Sequence, residues 1–247
     1  MYKNKLTGMM KMNFDIYKVP TPCYVVEEEL LRKNCEILKS VTDKTGCKIL
    51  LAQKAFSMYS TYPLIGQYLD GTTASSLFEA KLGHEEMGKE VHIFSPAYRE
   101  DEFDEILSIC DHIVFNSMNQ WNRFKDKVKS SQRKVSCGLR INPEYSEIET
   151  AIYNPCVAGS RFGIKISQLH EDELEGIEGL HFHTMCEQNS DVLERTLKVV
   201  EEKFGHLFYR MKWINFGGGH HITRDDYDLE TLIRCIKLIK DKYNVEV

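Results

Sequence analysis

A lysine, a histidine pair, an arginine and a run of three glycines are the residues of this 247-residue sequence whose types and spacing suit chemistry. Lys54 closes an apolar run, LLAQKAF, and alternation along a strand puts Leu50, Ala52 and Lys54 on one side. A lysine at the mouth of a pocket, partly dried, can form a Schiff base with an aldehyde. Read alone, the same lysine is a surface residue at a strand end. His181 and His183, in GLHFHT, share one strand face. Such a pair can bind a metal, stack on a flat aromatic ring, or hydrogen-bond inside the protein. Gly217, Gly218 and Gly219 follow WINF directly, and successive glycines can turn backbone N–H groups toward phosphate or form a plain turn. Arg140, in GLRINP, shares a face with Gly138 and Asn142; it suits an anionic oxygen or a structural salt bridge. Glu79 stands three residues after Ser76, a capping-box spacing. His220 and His221 read as loop residues, and Cys186 as a buried thiol.

These residues form a site only if the elements carrying them meet. Short apolar runs predict strands at 48–53, 68–73, 91–95, 112–116, 135–142, 179–186, 213–216 and 244–247. Between most of them, apolar residues at i, i+3, i+4 spacing predict helices at 28–39, 76–82, 99–110, 119–129, 191–208 and 229–242. Asp191 suits an N-cap. Repeated strand–helix alternation implies a parallel sheet with helices outside, and eight strands imply a (β/α)8 TIM barrel, with an open doubly wound sheet as the rival. In a barrel, Lys54, Arg140, the histidines and the glycines leave strands one, five, six and seven at the same C-terminal face. Residues 143–168, with two Asn-Pro pairs, a Gly-Ser step and Arg161, Phe162 and Gly163, predict a long loop on that face. The domain reading is a leader at 1–14, then a barrel at 15–247 expected to be truncated at strand eight.

The bulk composition narrows the function class. Hydrophobic content of 42% and aromatic content of 11% support a sizeable core. A net charge of −5 without a basic stripe argues against a nucleic-acid binder. No apolar run approaches the roughly 18 residues of a membrane span. The lysine-rich start carries no apolar segment of the secretory type, so the expected location is cytoplasmic. Eight scattered cysteines without a C-x-x-C pair read as reduced thiols, and their spacing does not suggest structural zinc.

The segments TPCYVVEEELLRKN, LLAQKAFS, DGTTASSLFEAKLG, VHIFSPAY, GLRINPEYSE, SRFGI, GLHFHTMCEQ and INFGGGHHIT carry a resemblance that runs from about residue 15 to the end. The sequence resembles the fold III, alanine racemase-like decarboxylases that use pyridoxal 5′-phosphate. Within them it resembles the carboxynorspermidine/carboxyspermidine decarboxylases of polyamine biosynthesis, because GLHFHTMCEQ departs from the HxGS pattern of diaminopimelate and ornithine decarboxylases. The resemblance implies that Lys54 is the Schiff-base lysine and that His183 stacks on the pyridine ring. It implies phosphate at Gly217, Gly218 and Gly219, Arg140 on the cofactor side of the barrel, and Glu79 as a carboxylate near the cofactor. Cys186 stands where relatives often have a phosphate-contacting serine. The implied reaction releases carbon dioxide from carboxynorspermidine or carboxyspermidine to leave norspermidine or spermidine, in a homodimeric enzyme. Family members continue with a Glu-Pro-Gly segment and a β-domain, so this chain alone is expected to be inactive or nearly so. The competing readings are another fold III enzyme such as diaminopimelate decarboxylase or a racemase, a non-enzymatic barrel that carries pyridoxal phosphate, and a metal-dependent hydrolase using His181, His183 and His220.

Overall fold

Seven short strands lie side by side in the order in which they occur along the chain, each parallel to its neighbours, in a computed structural model that describes residues 14–247. They are β1 (Leu50–Ala52), β2 (Gly71–Ala74), β3 (Glu90–Phe94), β4 (His112–Phe115), β5 (Ser136–Arg140), β6 (Ile177–His181) and β7 (Trp213–Asn215). Parallel neighbours need a crossover, and helices supply most of them. The helices are α1 (Glu28–Thr45), α2 (Tyr62–Ile65), α3 (Leu77–Glu86), α4 (Glu100–Ile109), α5 (Met118–Ser130), α6 (Ser190–Phe208) and α7 (Leu229–Tyr243). The expected leader lies outside the described residues, apart from its last position.

Residues 245–247 close the ring. The Ile214 N–H donates to the Glu246 carbonyl and the Glu246 N–H to the Lys212 carbonyl, both at 2.8 Å. On the other side, the Lys48 N–H donates to the Val247 carbonyl at 2.9 Å. The strand expected at 244–247 therefore occupies the eighth position, except that Asn244 is the left-handed cap of α7 (φ 54°). A strand order without reversal, closed on itself, is a barrel and not the doubly wound rival.

Alternation sorts the strand side chains into two sets. Val91, Ile93, Ile113, Phe115, Cys137, Leu139 and Ile141 are buried in the layer between sheet and helices. Their alternates face into the ring. A Cβ on Gly138 or Gly179 would come within 2.2 or 2.0 Å of the Trp213 ring. β5 and β7 are not neighbours, so this contact crosses the barrel interior. Glycine is required there because the indole fills the space a side chain would need.

Several boundaries differ from the sequence reading for local reasons. The strand expected at 68–73 begins at Gly71, because Leu69 packs with Cys35, Tyr62 and Ile65 in a satellite cluster under α1. Helix α3 runs past Gly83 to Glu86. A Cβ on Gly83 would meet Thr72 Oγ1 at 2.2 Å, so this glycine lets the helix approach β2 and does not end it. Helix α1 continues to Thr45 and stops at Gly46, whose φ of 63° and N–H bond to the Thr42 carbonyl form a C-cap. Asn189, not Asp191, caps α6, with its side chain accepting from the Ser190 N–H.

Candidate active site

Lys54 lies two residues beyond β1, not on it. The chain turns at Ala52, whose carbonyl accepts from the N–H groups of Ala55 and Phe56 at 3.0 and 3.1 Å. The lysine is exposed, and no ion pair is formed by it among the described residues. Its charge acts on His183, which helps keep that imidazole neutral. β6 likewise ends at His181, short of the expected 186. The last rung is the Phe182 N–H to the Asn215 carbonyl at 3.0 Å, after which the neighbouring strand β7 turns away into the glycines. His181 thus ends the strand, and His183 stands just above it on the loop.

The glycines hold the His183 ring. Gly218 N–H donates to His183 Nδ1 at 2.9 Å, so the neutral imidazole carries its proton on Nε2. Burial, followed by the charges of Lys54 and Arg140, pushes the His183 pKa down to about 4. Gly217 and Gly219 have φ of 72° and 94°, the left-handed region that favours glycine. A Cβ on either would strike a backbone carbonyl, Phe182 O at 2.3 Å or Met185 O at 2.1 Å. The Gly217 N–H is engaged with Asn215 Oδ1 at 2.7 Å, so only Gly219 keeps an N–H outside the described hydrogen bonds. The three-glycine run is an orienting turn as much as a nest of free donors.

Arg140 is 6% exposed, yet no carboxylate pairs with it among the described residues. Its guanidinium is sandwiched between Phe94 and Phe162, 4.7 Å from each ring centroid. Nη2 donates to the His183 carbonyl at 3.1 Å. Burial brings its pKa down to about 10. His181, 8% exposed, lies against the Phe94 ring at 5.5 Å and leaves a buried Nδ1 without a partner. Burial and then Arg140 hold it well below the usual imidazole range. His220 faces the same pocket, with Nδ1 2.8 Å from the Tyr227 hydroxyl and a pKa pushed down to about 4 by burial. His221 is directed instead to Arg224.

Other sequence candidates take quieter places. Glu79 completes a cap on α3: its N–H donates to Ser76 Oγ at 3.3 Å and its Oε2 accepts from the Ser75 N–H at 2.7 Å. Cys186 is exposed, against the expectation of a buried thiol, because its loop projects from the mouth. Phe162 returns from the long loop through Ile164, which bridges Ile141. The sequence reading did not single out Phe94, although alternation from His92 along β3 marks it as inward-facing. Nor did it single out Tyr227, for which the sequence carries no local signal.

A buried, uncompensated guanidinium, an orphaned imidazole nitrogen, an oriented neutral imidazole and a glycine cradle fit an anionic, aromatic ligand such as pyridoxal 5′-phosphate. Metal chemistry has less geometric support here. His181, His183 and His220 do not form the cluster of converging ligand atoms found elsewhere among the described residues.

No family model matches the sequence. The chain is 50% identical over 230 residues to the carboxynorspermidine/carboxyspermidine decarboxylase of Campylobacter jejuni, covering 93% of this chain and 59% of that protein. It superimposes with a TM-score of 0.85 and 48% identity on the crystal structure of the Campylobacter jejuni carboxynorspermidine decarboxylase complexed with norspermidine. Diaminopimelate decarboxylase of Helicobacter pylori, complexed with L-lysine, shares the fold at a TM-score of 0.66 and 15% identity. The chain spans 59% of the length of the Campylobacter relative. Over that span, the chain is similar in both sequence and barrel geometry to the carboxynorspermidine/carboxyspermidine decarboxylase of Campylobacter jejuni.

Proposed function

We propose that this barrel binds pyridoxal 5′-phosphate and serves an enzyme that decarboxylates carboxynorspermidine or carboxyspermidine to norspermidine or spermidine. The observation that carries the proposal is Arg140, a buried cation with no carboxylate partner among the described residues, held by two aromatic rings beside His183. A protein that buries such a charge without a partner loses stability unless a ligand supplies the anion.

When bound, pyridoxal phosphate supplies an electron sink for the pair left on the substrate's α-carbon as carbon dioxide departs. The residues of this chain do the rest. Lys54, exposed at the mouth, would hold the cofactor through its aldehyde carbon. The His183 ring, fixed by Gly218, would pack its face on the pyridine. With a pKa of about 4 it stays neutral at physiological pH and adds no charge to the ring it covers. Gly217, Gly218 and Gly219 would leave room for phosphate, with the Gly219 N–H as donor. Arg140 would give a fixed positive charge on the cofactor side. Glu79 would offer a carboxylate near the cofactor with the oxygen its cap leaves over. On the family reading, the full-length protein is a cytoplasmic homodimer.

Titration with pyridoxal phosphate, followed by visible absorbance and borohydride trapping, tests the cofactor reading. The expected adduct forms on the native chain and not on Lys54→Ala. Carbon dioxide release from carboxynorspermidine, carboxyspermidine and diaminopimelate, measured with the full-length protein, tests the substrate. Adduct formation by Lys54→Ala, or turnover of diaminopimelate alone, would overturn the proposal.

A further inference from the structure

At the opposite end of the barrel, where the strands begin, two imidazoles and a carboxylate converge without serving the pocket above. His92 on β3 and His112 on β4 are register partners, so they occupy the same layer of the barrel wall. Their alternates Val91, Ile93 and Ile113 face the helices, which leaves both imidazoles inside the ring. The rings are stacked at 3.9 Å between centroids with planes 26° apart. Glu90 directs Oε2 to His92 Nε2 at 3.0 Å, while its other oxygen accepts from Lys48 at 2.6 Å. One ligand atom from each of Glu90, His92 and His112 lies within 4.8 Å of the others.

A second observation concerns His112. His112 Nδ1 is buried and has no hydrogen-bond partner. A buried polar nitrogen without a partner costs free energy that ordinary folding would remove by pairing it. Two imidazoles with one carboxylate are a donor set of borderline softness. It suits zinc, nickel, cobalt or copper(II), and it suits magnesium and calcium poorly, since those prefer all-oxygen shells.

We propose that Glu90, His92 and His112 form a binding site for one divalent transition-metal cation at the N-terminal mouth of the barrel. The cation takes the place of the proton shared by His92 Nε2 and Glu90 Oε2, the His112 ring turns out of the stack so that its in-plane lone pair meets the ion, and water completes the shell. The site lies at the end of the barrel opposite Lys54, so its role is to hold β3 to β4 and not to take part in decarboxylation. Lys48, already on Glu90, opposes the cation, so the affinity is below that of dedicated structural zinc sites.

Trp213 gives a local readout, because its ring lies 5.4 Å from the His112 ring. Nickel(II) titration with tryptophan fluorescence, paired with equilibrium dialysis against zinc, tests the site. The native chain should bind a single equivalent, with saturable quenching. His92→Ala and His112→Ala should each weaken binding by about tenfold or more, since each removes a first ligand. Glu90→Gln, which keeps shape and volume, gives a variant of low folding risk and should also weaken zinc binding. His206→Ala, which removes an exposed histidine paired with Glu171, should leave it unchanged. Native affinity in both Glu90→Gln and the His92/His112 double variant would overturn the proposal. So would the absence of saturable binding by the native chain.

Discussion

At the N-terminal end of the barrel, Glu178 is paired with Lys212 and accepts from Ser136 Oγ at 2.7 Å, and Ser136 Oγ in turn accepts from Trp213 Nε1 at 2.8 Å. Lys48 lies between Glu90 and Glu246. At the C-terminal end, Arg140 has two aromatic rings and a backbone carbonyl but no carboxylate among the described residues, where Lys54 likewise forms no ion pair. Both ends draw on the same strands and the segments that flank them. One end answers each carboxylate with a cation, and the other leaves its cations unanswered. Charge compensation within the chain serves stability, whereas a buried charge without a counter-charge costs stability and is characteristic of functional sites.

That contrast can be broken by substitution. Changes at the upper end should act on ligand binding, and changes at the lower end on stability. The largest effect is expected from Lys54→Ala in the full-length enzyme, with turnover falling by about three orders of magnitude or more and the thermal midpoint of the unliganded protein nearly unchanged. Gly217→Ala should cost about 2–4 kcal/mol in urea unfolding, since φ is positive and the new Cβ meets a backbone carbonyl. Arg140→Met should weaken pyridoxal phosphate binding by about tenfold or more, while changing unliganded stability by less than about 1 kcal/mol. A large loss of unliganded stability there would make Arg140 a packing residue. Glu178→Gln should cost about 1 kcal/mol at neutral pH, with cofactor binding unchanged, because the pairs it loses are partly exposed.

The pH dependence sharpens the same comparison. His183 and His220 are held down to about 4 in the fold, against about 6.5 in an unfolded chain. Between those values the unfolded chain binds more protons, so unliganded stability should fall as pH drops from about 6.5 toward 4. Glu178 is lowered below the usual carboxylate value. Its contribution should persist through that window and fade only as pH falls below the ordinary carboxylate range. Chemical denaturation at stepped pH, with His220→Asn to flatten the first phase, measures both.

How much was legible in advance depended on how local the cause was. Helices α4, α5, α6 and α7 were readable within a few residues, because apolar spacing and caps are properties of neighbouring residues. The mouth residues were readable as a set because a barrel gathers the ends of its strands. Lys54 was placed on a strand that in fact stops at Ala52, and His183 on one that stops at His181. β1 stops because the chain turns at Ala52, and β6 because its partner β7 ends at Asn215; register with a distant segment is not written locally. Cys186 was misread for a similar reason, since exposure depends on where the loop projects.

The sequence by itself determined the repeated strand–helix alternation, the glycines at 217 and 219, and the inward alternation that carries Arg140 and His181. Period and left-handed backbone preference are local, so residue types suffice. Only the tertiary structure decided that residues 245–247 close the ring, that Arg140 lies between Phe94 and Phe162, and that His92 and His112 stack. Each of those depends on segments far apart in the chain arriving at one place. Closure and packing decide that meeting, and no local window of the sequence contains it.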